Sequence, residues 1–168
     1  MDKTEITISC LQHAIEDAQD TIKAYDAKAE ILGVLLTIAI GITNFTFLQH
    51  TSPTSKAFLI ASWIIGLLSI GFLGAVLYPQ RDPFKKIQFG GYTPSGTYFL
   101  TQLNTSAQNT VTQLADNALN TNWVNELTYE NMKLSIIRDY KHCWYVRALR
   151  VSGLSLLLIA IMVFIEYY

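Results

Sequence analysis

The stretch KAYDAKAEILGVLLTIAIGI, Lys23 to Ile42, decides the fold of this chain. Its first part carries Lys23, Asp26, Lys28 and Glu30, and its second part carries no charge. No proline separates the two, so a single helix passes from a water-compatible surface into an apolar one. The uncharged run continues to Leu48. Those 18 residues make about 27 Å of helix at 1.5 Å per residue, close to the thickness of a bilayer's hydrocarbon core. Three charges within about one turn of that edge need an explanation.

Upstream, Ile8, Leu11, Ile15, Ala18, Ile22, Tyr25, Ala29 and Leu32 recur at spacings of three and four. This heptad stripe feeds directly into the apolar run. Glu16, Asp17, Asp20 and Lys23 lie on the other face. The stripe suits packing within the subunit or a seam between subunits, and the sequence does not choose.

Downstream, Ala57 to Gln80 is uncharged for 24 residues. The polar turn QHTSPTSK separates it from the first run, so the two read as a transmembrane helical hairpin. Val151 to Ile165 is a shorter uncharged run of 15 residues. Its flanks, Trp144, Tyr145 and Arg150 before it and Tyr167 and Tyr168 after it, resemble an aromatic belt and favour a third span. The fold expected is therefore an all-α membrane protein, a transmembrane helical hairpin plus a C-terminal span, with long helices extending into the cytoplasm. As one domain over 1–168, it divides into a helix at 1–30, spans at 31–48, 57–78 and 150–167, and an aqueous segment at 79–149.

Basic residues orient these spans. Lys3, Lys23 and Lys28 precede the first; eight lie between the second and third; only Lys56 lies in the hairpin turn. The excess places the N-terminus and residues 79–149 in the cytoplasm, and the C-terminus on the periplasmic or extracellular side. The net charge of −1 makes no case for nucleic acid. Mean hydropathy is +0.27 with 15% charged residues, which suits a membrane protein with an aqueous part.

No catalytic set is legible. His13, His50 and His142 are scattered, and no HExxH or P-loop occurs. Cys10 and Cys143 form no metal-ligand spacing, and Cys143 lies on an apolar helical stripe as a packed thiol. The expectation is a protein that is not an enzyme and needs no cofactor or metal. FGGYTPSG beside Arg81, Lys85 and Lys86 reads either as a phosphate-binding loop or as a basic collar on lipid headgroups. Gly33, Thr37 and Gly41, with Ser62 and Gly66, carry small residues at the spacing that lets helices approach closely in lipid. The expected use is packing within the hairpin. Asn44 is the strongly polar side chain of the first run, expected to bond to a neighbouring helix or reach the interface.

The charged seam has a geometric reading. The first and third spans run in the same direction, and Asp26 and Arg147 lie four or five residues before their apolar runs, roughly 6–8 Å below the lipid. By the same count Lys141 falls level with Asp20 and Ile22. Asp26, Lys28, Lys141 and Arg147 are thus candidates for an interhelical latch at the headgroup level.

YDAKAEILGVLL, IQFGGYTPSGTYF and ELTYENMKLSIIRDYKHCWYVRALRVSGLSLL, taken together, resemble the Pycsar effector transmembrane family of bacterial anti-phage defence. By position the matched residues are Asp26, Lys28, Lys141, Arg147 and Ala148. The resemblance implies an inner-membrane effector: a partner cyclase makes a cyclic nucleotide, a cyclic pyrimidine monophosphate, and the effector then impairs the membrane so that the infected cell stops growing. The partners implied are the lipid bilayer, further copies of the chain as a homo-oligomer, and the cyclic nucleotide or a signalling partner. The competing reading from the residues is a non-toxic membrane scaffold or transporter accessory subunit.

Overall fold

The computed structural model describes residues 3–47, 52–78 and 111–167, with side chains at 3–43, 52–78 and 115–166. These residues are helical, and no strand occurs among them. Helix α1 spans Lys3–Phe47, α2 Pro53–Leu77, α3 Val111–Asn120 and α4 Trp123–Tyr167. Helix α1 is unbroken through the seam at Asp26 to Glu30, as the absence of proline requires.

Local chemistry sets the ends of α2. Ser52 caps it, its Oγ accepting from the Ser55 amide at 3.2 Å, and Pro53 occupies the first helical turn, where a missing N–H costs nothing. The helix ends at Leu77 with Tyr78 extended (φ −68°, ψ 126°), as expected of a residue preceding a proline. Asn122 caps α4, accepting from the Asn125 amide at 3.2 Å.

The chain forms two compact units. One comprises Met1–Thr21 and Gln80–Arg138; the other comprises Ile22–Pro79 and Asp139–Tyr168. In the first, Ile15, Ala18 and Leu127 are buried, and so are Glu126 and Glu130, the latter ion-paired to Lys133 at 2.9 Å. The second is a bundle of three helical stretches from α1, α2 and α4. Its core is Ala29, Leu36, Leu73, Val76 and Ala148, with Tyr25, Leu32, Ile70, Phe72, Trp144 and Tyr145 packed around them.

Among the described residues, two helices hold an 18-residue stretch apolar enough to cross a membrane: α2, and α4 within Trp123–Glu166. The 31–48 run extends past the described side chains, as does Asn44. Cys143 is exposed, not packed. Met132 is exposed as well, whereas Tyr140 between them is half-buried against Trp144, and Leu127 and Ala148 are buried.

Candidate functional site

One polar cluster ties all three helices of the bundle. Lys141 of α4 is buried, with 8% of its side chain exposed. Its Nζ donates to Asp26 Oδ1 of α1 and, at 2.8 Å, to the Val76 carbonyl of α2. Val76 lies in the last turn of α2, where carbonyls lack helical partners and the helix dipole favours a cation. Beside it, the Tyr25 hydroxyl meets His142 Nδ1 at 2.8 Å, and the Tyr25 ring packs against Tyr145. Two cations sit on aromatic faces: Lys28 Nζ lies 5.9 Å from the Tyr25 ring centre, and the Arg147 guanidinium 4.8 Å from that of Trp144. Phe72 of α2 completes this layer against Trp144.

Of the four latch candidates, the structure joins Asp26 to Lys141. It places Lys28 and Arg147 on aromatic rings nearby. The partner of Asp26 is therefore not Arg147, six positions further along α4. A long cationic side chain leans toward the N-terminus of its helix. In the register set by these contacts Arg147 lies level with Glu30, one turn beyond Asp26. Arg81, Lys85 and Lys86 lie outside the described residues.

A second feature had a sequence signal that the reading above did not use. Ser55, Ser62 and Ser69 are spaced by seven along α2, all buried on one face with Leu59, Gly66, Leu73 and Val76 between and after them. Each meets α4. Ser55 Oγ donates to Glu166 at 2.6 Å; Ser62 and Ser155 each donate to the other's carbonyl, at 3.1 and 2.9 Å. Ser69 donates to the Ala148 carbonyl at 3.0 Å beside Ser152. Lys141 on Val76 continues the same seam at the next heptad. Hydroxyls suit this place because a serine is small, and in an apolar medium its donor has few alternatives to the facing helix.

The small residues divide. A Cβ built on Gly66 would lie 2.8 Å from the Ile40 side chain and 3.2 Å from Ser155 Oγ, so Ser62 and Gly66 mark close approach inside the bundle. Gly33 faces Leu73 loosely, at 3.7 Å from such a Cβ, and Gly41 meets open space. Thr37 is exposed and donates back to the Gly33 carbonyl at 2.8 Å.

What the polar cluster offers is an electrostatic tie between three helices at one level. The family of the Pycsar effector protein domain matches residues 10–166, nearly the whole chain and the whole of this bundle. The chain belongs to this family. It is a membrane effector of the Pycsar anti-phage system, and its two long apolar helices suit that setting. No curated protein and no solved structure matches the effector.

Proposed function

We propose that the effector is a non-enzymatic protein of the bacterial inner membrane that breaches the bilayer when a cyclic nucleotide, a cyclic pyrimidine monophosphate, signals infection. The 31–48 run crosses the membrane together with α2 and the end of α4, giving three spans with a cytoplasmic N-terminus and an outward C-terminus. The observation that carries this reading is Lys141, a buried ammonium shared between a carboxylate on α1 and a carbonyl on α2. A buried cation is tolerated while its acceptors stay in place and becomes costly when one moves away. The bundle thus has a closed arrangement with the tie made and an open one with Lys141 and Asp26 in water, the kind of paired states on which a switch is built. The signal enters through the aqueous segment 79–149, turns α4 against its neighbours, and breaks the tie where that helix meets the lipid.

The test is dye leakage from vesicles holding the full-length effector, with and without cyclic CMP or cyclic UMP. Asp26→Asn lowers the nucleotide concentration needed for leakage, or removes the need for it. Leakage and threshold unchanged from wild type in both Asp26→Asn and Lys141→Met would sink the latch.

A further inference from the structure

Asp26 takes Lys141, and among the described residues of the bundle Glu30 has no ion pair, nor have the cations Lys28, Lys56, Arg147 and Arg150. Glu30 of α1 and Arg147 of α4 are both exposed, and neither joins a carboxylate–cation contact. Arg147 lays one guanidinium face on Trp144, which leaves its N–H edge available.

The two charges lie at one depth. Helices α1 and α4 run parallel in a fixed register: Tyr25 meets His142 and Asp26 meets Lys141, 117 and 115 positions apart. Ile40 and Ser155 both border Gly66, at the same offset. The Tyr25–His142 offset of 117 carries Glu30 to Arg147 and Thr37 to Leu154, within two positions of the 115 shared by Asp26–Lys141 and Ile40–Ser155. The faces bearing these residues are complementary in shape. On α4, Leu154, Leu157, Ile161 and Phe164 project outward in line with Arg147. On α1, Glu30, Thr37 and Gly41 lie on an outward face, with Val34 and Ile38 as its large side chains. Glu30 and Thr37 border a groove of about 640 Å³ between α1 and α2, lined also by Gly33, Ile38, Leu73 and Gly74.

We infer that this groove receives the outer face of α4 from a second copy, with Glu30 of one copy meeting Arg147 of the next. Copies related by an axis along the membrane normal keep their depth, so residues level within one copy meet between copies. Thr37 then faces Leu154, and large apolar side chains fill a shallow, small-residue floor, the packing that drives helix association in lipid. The groove and the projecting face are different patches of one molecule. The contact is therefore head to tail, and repetition makes a ring or an open array, not a closed pair. This inference rests on the membrane-effector reading and gives it a partner, another copy of the chain.

Disulfide trapping in native bacterial membranes tests it, using the full chain with Cys10→Ser and Cys143→Ser. Oxidation of the Thr37→Cys, Leu154→Cys double variant, with or without added cyclic CMP or cyclic UMP, yields a ladder of dimers, trimers and larger species. Each single cysteine variant stays monomeric. Glu30→Arg or Arg147→Glu weakens the ladder several-fold, and the two together restore it. No ladder under either condition means that lipid fills the groove, and overturns the inference. A dimer from Thr37→Cys alone means a two-fold contact, and overturns it as well. Dye leakage separates the two readings: leakage without a ladder defeats this contact and spares the effector function, whereas a ladder without leakage supports the contact and counts against the function.

Discussion

Lys141 is tolerated in an apolar bundle because two acceptors meet it, and its two partners differ in their exposure to water. Asp26 keeps 35% of its side chain exposed, against 8% for Lys141. Removing the carboxylate strands a buried cation, while removing the cation leaves a carboxylate that water can reach. Asp26→Asn is therefore expected to destabilise the detergent-solubilised effector by about 2–3 kcal/mol, and Lys141→Met by less. Thermal unfolding of both variants would show the order; equal losses would contradict it. Tyr129 offers a pH test outside the apolar segments. Burial, then the nearby Glu130 and Glu126 carboxylates, raise its phenol above the ordinary 10.0. The unfolded chain therefore releases this proton first as pH passes 10, and the fold loses stability there that it holds in full below. Unfolding at pH 9 and 11 should show a smaller drop for Tyr129→Phe than for wild type. At this scale the sequence was partly legible. Counting residues from the apolar edge found a level where charges gather, and Asp26 and Lys141 among them. That count set Asp26 level with Arg147 and Lys141 level with Asp20 and Ile22, whereas the fold joins Asp26 to Lys141, because helix register and side-chain lean decide which cation reaches a given carboxylate.

The helix pair α2 and α4 is held by hydroxyls as well as by apolar contact. Interhelical hydrogen bonds in membranes contribute about 0.6 kcal/mol each, so Ser62→Ala or Ser69→Ala alone should be mild and their combination roughly additive. Glycines on α2 give a sharper contrast. Gly66 abuts Ile40 and Ser155, whereas Gly71 meets open space. Gly66→Leu should destabilise the bundle by roughly 1–3 kcal/mol through overpacking, while Gly71→Ala should be neutral or stabilising, as helix propensity favours alanine by about 1 kcal/mol. Melting in one detergent compares the two, and equal effects would mean that Gly66 is not a close contact. The three long helices were legible as elements because each apolar run meets its boundary at a proline or at a charge. The serine heptad was in the sequence too. It is hard to read there, since an isolated serine in an apolar helix fits either a packed interface or a lipid-facing turn.

For the whole molecule, topology is the property most open to direct test. In intact spheroplasts a membrane-impermeant maleimide should label Thr54→Cys in the hairpin turn and leave native Cys10 unlabelled until the cells are opened. The reverse pattern would invert the proposed orientation. The sequence by itself determined that the described segments are helical and where along them charge gives way to an apolar surface. These follow from periodicity, run length and charge placement, which are local properties of a helix. Only the tertiary structure decided that Lys141 takes Asp26, that Ser55, Ser62 and Ser69 face α4, and that Glu30, Thr37 and Gly41 face outward. Those outcomes depend on the rotation and axial register of one helix against another. A shift of a few residues leaves every local pattern intact while changing every partner. The charges around KAYDAKAEILG therefore mark the edge of an apolar run in the sequence, and become a tie between three helices only in the fold.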